Sequence, residues 1–80
     1  MSNTANLNHP DNAEVVTPHD ANPLPNGGLL YVGGAGDVSV VTTQGNAVVF
    51  KGVGAGQILP IRVRRVKATD TTATDILVLY

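Results

Sequence analysis

The chain contains no cysteine. This absence excludes disulfide bonds and metal sites built from thiolates. In a domain of 80 residues, a single core rarely supplies more than about 3–5 kcal/mol, so small proteins usually add a disulfide, a metal ion or a partner subunit. With disulfides excluded, association with other subunits is the expected source of extra stability.

Charge and long apolar runs are also scarce. Charged residues make up 14% of the chain, and the formal net charge is −1, so no strong field attracts DNA or a membrane surface. No apolar run approaches the ~20 residues that a membrane helix needs. The first residues, "MSNTANLNHPDN", lack both the basic start and the apolar stretch of a signal peptide. We therefore expect a soluble protein that is made in a cytoplasm and has no membrane partner.

Aromatic residues amount to only 4% of the chain. This scarcity argues against a nucleic-acid site at the four clustered basic residues, Arg62, Arg64, Arg65 and Lys67. Proteins that bind single-stranded nucleic acids combine a basic groove with aromatic stacking platforms, and few aromatics are present here. We favour a solvated strand face, or arginines that pair with carboxylates of a neighbouring subunit. A small nucleic-acid-binding β-barrel and a carbohydrate-binding adaptor remain alternatives.

Residues 1–28 are rich in Asn, Pro, Asp and Thr and hold four of the five prolines. Proline fixes its own φ and pushes the preceding residue towards extended conformations. We predict an extended N-terminal arm with a short strand within "AEVVT"; the pattern leaves open whether this arm docks. His9 and His19 lie on the arm near acidic residues, but their spacing matches no known ligand pattern, and we expect no metal site.

Residues 29–80 consist of short β-rich runs separated by turn residues: "LLYV", "DVSVVTT", "AVVFK", "ILPIRVRRVKA" and "DILVLY". This pattern predicts an all-β domain, a small antiparallel β-sandwich or barrel of five or six strands. In "DVSVVTT", Val38 and Val40 are expected on one face and Ser39 and Val41 on the other. Val66 falls out of phase with Val63, and a β-bulge near Arg64–Arg65 would restore the alternation.

The glycines of "GGAGDV" resemble part of a dinucleotide fingerprint. Gly34 and Gly36 have the required spacing, but Ser39 stands where the third glycine belongs, and a strand-like run follows instead of the helix that would hold a phosphate. We interpret both glycine clusters as turn residues that need a positive φ. No cofactor is expected, and no set of residues assembles a nucleophile, a base and an oxyanion donor, so the chain is not expected to be an enzyme.

Three runs, "LLYV", "AVVF" and "ILVLY", are apolar at every position. Continuous apolar runs indicate strands covered on both faces, whereas about fifty residues can build only one interior. The surplus would form an exposed patch of the kind that marks interaction sites. The residues expected to be buried in the fold or between subunits are Val48, Phe50, Leu77, Val78, Leu79 and Tyr80. The polar residues expected at the same interface are Arg62, Arg64 and Arg65.

Four blocks in order, "LYVGGAGDV", "VVFKGVGAG", "ILPIRVRRVKAT" and "TTATDILVLY", resemble the small head-spike base proteins of gene transfer agents and related tailed phages. The resemblance implies a virion structural protein on the capsid surface, without catalytic residues or a cofactor. It further implies a homo-oligomeric ring, with a pentamer favoured and a trimer possible. Such a ring would sit on a capsid vertex and join the major capsid protein to a spike or fibre protein. A decoration or cement protein that stabilises the shell away from the vertex is the alternative.

Overall fold

A computed structural model describes residues 10–80 and confirms the all-β class. The six strands are β1 (Ala13–Val15), β2 (Gly28–Gly34), β3 (Gly36–Thr42), β4 (Ala47–Val53), β5 (Gln57–Val66) and β6 (Thr74–Leu79). They form one sheet in the order β1-β6-β2-β5-β3-β4, and every pairing is antiparallel. Strands β1 and β4 are therefore the two edges of the sheet.

The long strand β5 joins the two halves of this sheet. Its first part pairs with β2, where Leu59 lies opposite Leu30, and its last part pairs with β3, where Val66 lies opposite Val40. The register against β3 shifts between Arg65 and Val63, so that Arg64 is the extra residue. The bulge predicted at Arg64–Arg65 is confirmed, and it allows Val63 and Val66 both to be buried.

The core lies on the inner face of the sheet and is built mainly from valine. Branched side chains pack well on a pleated surface, and Leu24, Phe50 and Tyr80 pack against the margin of this core. The largest fully buried side chains are Leu30, Val32, Val38, Val40, Val63, Val66 and Val78.

Strand β3 does not have the one exposed and one buried face that a simple alternation of residues suggests. Val38 and Val40 are buried, but Ser39 and Val41 on the opposite face are buried as well. The segment after β5 lies along this strand: the Lys67 N–H donates to the carbonyl of Ser39 (2.8 Å), and the Ser39 N–H donates to the hydroxyl of Thr71 (2.9 Å). This segment satisfies backbone groups of β3 beyond Val40, where the pairing with β5 ends.

Two residues of the first glycine cluster are not turn residues, which corrects the sequence interpretation, whereas Gly36 has the predicted positive φ, at 157°. Gly33 and Gly34 lie inside β2, and a Cβ on Gly33 would stand 2.8 Å from the carbonyl oxygen of Asp75 on β6. These glycines allow two backbones to approach closely. The second cluster behaves as predicted, because Gly52 and Gly56 have φ values of 67° and 79°.

The described part of the arm is extended and lies against the sheet. The strand predicted within "AEVVT" is β1, which pairs with β6. Beyond it, the Val16 N–H donates to Ile76 (2.9 Å), the His19 N–H to Val66 (2.9 Å) and the Leu24 N–H to Arg64 (2.7 Å). The arm thus runs from β6 across to the end of β5. A division of the chain at residue 28 stays a prediction.

Candidate subunit interface

An apolar row crosses the outer face of the sheet. Val15 on β1 lies opposite Leu77 on β6, Leu77 lies opposite Tyr31 on β2, and Tyr31 lies opposite Ile58 on β5. Residues that are directly opposite in an antiparallel pair project from the same face, so these four side chains form a continuous line, here called the outer row. Val15 is 80% exposed and Ile58 is 48% exposed.

A second apolar line lies next to the outer row. Ala13 and Leu29 both stand opposite Leu79, two residues along each strand from the outer row and therefore on the same face. Leu79 also contributes to a shallow depression bordered by residues 10–13. The outer face of β1, β6 and β2 is therefore apolar over two adjacent lines of side chains.

A second apolar surface is formed by the first half of β4. Ala47, Val48 and Val49 are exposed, with Val48 at 40%, while Phe50 packs partly against the core. An edge strand also presents unpaired backbone N–H and C=O groups, which natural proteins usually protect with charges or prolines. We call Ala47–Val49 the β4 edge.

Charge is divided between these two surfaces. Strands β1, β2 and β6 contain no lysine or arginine, and they carry Glu14 and Asp75. The basic residues gather near the loop between β3 and β4: the Thr43 N–H donates to the carbonyl of Arg62 (3.2 Å), and Nη2 of Arg64 lies 3.7 Å from the place that a Cβ on Gly45 would occupy. Glu14 stands opposite the buried Val78 and so projects from the other face. The outer row therefore has one acidic neighbour, Asp75, and the loop beside the β4 edge has basic ones.

Of the residues predicted at an interface, some are buried in the core, some are half-buried and some are exposed. Val78 is 1% exposed and belongs to the core of its own chain, which is one of the two places expected for it. Leu77 and Leu79 flank Val78 and project outwards, half-buried. Arg62 and Arg64 are exposed, whereas Nε of Arg65 is buried and has no hydrogen-bond partner among residues 10–80.

Tyr80 fixes the C-terminal end of the chain against β1. Its N–H donates to the carbonyl of Asn12 (3.0 Å), its own carbonyl accepts from the Asn12 N–H (2.9 Å), and its hydroxyl accepts from Nδ2 of Asn12 (3.0 Å). Partial removal from water raises the pKa of Tyr80, and the negative charge of Glu14 raises it further. The phenol therefore stays neutral and hydrogen-bonded over the physiological range.

The arm is held at a second place by Asp20. Its carboxylate accepts the backbone N–H of Thr69 (2.8 Å) and the Thr69 hydroxyl (2.6 Å). These hydrogen bonds, the hydroxyl first, lower the pKa of Asp20. Next to it, Nδ1 of His19 accepts the N–H groups of Ala21 and Asn22 (3.0 and 3.1 Å), closing a tight turn.

Within residues 10–80, no three metal-binding side chains come together, and His9 lies outside this range. The same residues include no helix that is long and apolar enough to cross a membrane. The outer row and the β4 edge are therefore the features of the described chain that call for a functional explanation.

Sequence reasoning selected Leu77, Leu79 and Val48 but missed Val15, Tyr31 and Ile58. The missing information is the register between strands, which places Val15 of the arm beside Leu77. The high exposure of a valine within a docked strand is visible only once that pairing is known.

No family model and no curated protein matches this chain. A chain in a solved structure described as "Capsid of native GTA particle computed with C5 symmetry", where GTA denotes a gene transfer agent, is similar to it. The two chains are 33% identical and superpose with a TM-score of 0.80, over 89% of this chain and 83% of that one. This protein belongs to the family of that gene transfer agent capsid chain.

Proposed function

We propose that this protein is a structural, non-enzymatic component of a phage-like particle. It forms a ring of identical subunits on a capsid vertex and serves as the base for a head spike or fibre. Identity of 33% over most of both chains with a chain of a gene transfer agent capsid carries this proposal. The fivefold symmetry used for that structure is the symmetry that a ring of five subunits at a vertex would obey.

The surfaces of the fold support a role in assembly. A soluble monomer rarely exposes a large contiguous apolar patch, and such patches mark interaction sites. The outer row and the β4 edge are two different surfaces: the row runs from the edge strand β1 as far as β5, and the β4 edge lies at the other end of the sheet order. A cyclic ring needs two such surfaces on every subunit, because each subunit meets its two neighbours differently. The remaining faces of the ring would contact the major capsid protein on one side and the spike on the other.

Deletion of the gene tests the role in the particle. The proposal predicts that particles assemble as closed shells that lack the spike or fibre, and that the wild-type gene restores it. Closed shells that keep their spikes contradict the proposal. Shells that become fragile while their spikes remain would assign the protein to the decoration class instead.

Electron cryomicroscopy of particles that carry a tagged copy of this protein, compared with wild-type particles, tests its position. With a small N-terminal fusion as a marker, the additional density is expected at the fivefold vertices. Density spread over other positions of the shell would contradict a vertex base, and particles without the fusion would contradict a virion component.

A further inference from the structure

We infer that the outer row of one subunit receives the β4 edge of a second copy of this chain, and that this contact, repeated head to tail, closes the ring. The inference rests on the proposed ring and adds to it the two surfaces that meet. Its occupant is identical to the protein itself, so both partners of the contact are present on the described chain.

Exposure indicates which surfaces are available. Strand β4 is an edge strand whose first three residues are all exposed although all are apolar. On the outer row, Val15 is the most exposed of the large apolar side chains of residues 10–80. Ile58, at the far end of the row, is exposed as well. Burying both surfaces together removes apolar area from water at about 25 cal/mol per Å² before the cost of association is subtracted.

Charge indicates that the two surfaces meet each other and not themselves. The Cβ of Asp75 on β6 lies beside Gly33, two residues from Tyr31 and therefore near the outer row, whereas Glu14 stands opposite the buried Val78 and projects from the other face. Arg62 and Arg64 stand beside the loop that leads into β4. Two outer rows face to face would bring two Asp75 carboxylates together, and two β4 edges would bring guanidinium groups together. An outer row against a β4 edge brings opposite charges together, which favours the heterologous contact.

Geometry agrees with a closed ring. A contact between two unlike surfaces propagates from subunit to subunit and closes when the rotation per step divides a full turn. A contact between two like surfaces would stop at a dimer. The unlike pairing is therefore the one that a ring of five requires.

Two aspartate variants and their mixture test the pairing. Val15→Asp blocks the outer row, Val49→Asp blocks the β4 edge, and Ala35→Asp places the same charge on an exposed residue outside both surfaces. Native mass spectrometry should show a ring for the wild type and for Ala35→Asp, and monomers for each of the other two alone. Mixing Val15→Asp with Val49→Asp should give 1:1 dimers, since one intact outer row and one intact β4 edge remain.

The outcomes separate this inference from the proposed function. If the wild type is a ring and either Val15→Asp or Val49→Asp keeps it, the assigned contact is wrong while the ring stands. If the wild type is a monomer, both proposals fail. Circular dichroism of each variant distinguishes loss of association from loss of folding, because a folded monomer supports the contact and an unfolded one does not.

The absence of native cysteine allows a second measurement. A chain carrying both Val15→Cys and Val49→Cys should be joined by a short bismaleimide linker into covalent oligomers up to the full ring. Either single variant should give no covalent oligomers under the same conditions, and neither should Ala35→Cys combined with Val49→Cys. Covalent dimers of a single variant would show that like surfaces meet, and would overturn the inference.

Discussion

The carboxylate of Asp20 accepts two hydrogen bonds from Thr69, 49 residues further along the chain, at 2.8 and 2.6 Å. This pair ties the middle of the N-terminal arm to the loop between β5 and β6. The backbone bonds of His19 and Leu24 to β5 lie on either side of it. The pair therefore helps to hold a proline-rich segment that has no regular partner strand over this part of its path.

Removal of the Asp20 carboxylate should loosen the arm without unfolding the sheet. In Asp20→Ala, we expect faster hydrogen exchange at the amides of His19 and Leu24, because both depend on the arm staying in place. The amide of Val32 in the central strand β2 should keep its protection. Asp11→Ala, which removes another exposed carboxylate from the arm, is the control. Equal protection of His19 and Leu24 in the wild type and in Asp20→Ala would refute this role.

The same pair predicts a dependence on acid. The pKa of Asp20 is lower in the folded protein than its ordinary value because Thr69 donates to the charged form. The stabilisation is therefore fully present above the unfolded-state pKa of about 3.9, and it is lost as the pH falls through the folded-state pKa. The difference in thermal midpoint between the wild type and Asp20→Ala should shrink as the pH is lowered below about 4. A difference that stays constant down to strong acid would contradict this assignment.

Gly33 should not tolerate a side chain, although it lies in a regular strand. A Cβ at this position would stand 2.8 Å from the carbonyl oxygen and 2.9 Å from the Cβ of Asp75, so Gly33→Ala should cost about 1–3 kcal/mol of unfolding free energy through overpacking. At Gly54, the nearest atom would be 3.5 Å away, and Gly54→Ala should change stability by less than about 0.5 kcal/mol. Urea denaturation of both variants measures this contrast, and equal stabilities would refute it.

Val78 and Leu79 are neighbours in sequence, but substitution of Val78 should change the stability of the fold and substitution of Leu79 should change association between subunits. Val78 is buried in the core, so Val78→Ala should lower the unfolding free energy by about 2–3 kcal/mol. Leu79 projects from the outer face beside the outer row, so Leu79→Asp should mainly weaken association between subunits. Urea denaturation and native mass spectrometry of the two variants test this contrast. If Leu79→Asp keeps the native subunit number and stability, Leu79 does not belong to the interface.

The local features of the fold could be predicted from sequence because they depend on a period of two along each strand. The run from Ile58 to Val66 shows the principle: the phase error between Val63 and Val66 predicted the bulge at Arg64–Arg65, and the register against β3 confirms it. The excess of apolar residues in "ILVLY" likewise predicted more apolar surface than one interior can hold, and Leu77 and Leu79 project from the outer face.

The non-local features could not be predicted, because register between distant strands is set by packing of the whole sheet. Nothing near Val15 in sequence indicates that it continues a line through Leu77 and Tyr31. The role of Gly33 was missed for the same reason, since the backbone it approaches belongs to Asp75 on β6. A turn was the simplest local explanation, but this glycine serves a contact between two strands.

The central claim is that this chain exposes more apolar strand surface than its own core can cover, so that sister subunits cover the rest. Native mass spectrometry of the purified full-length chain tests it most directly. The account predicts an assembly of five copies that persists on dilution into the micromolar range. A chain that remains a folded, soluble single copy at high concentration would contradict the account.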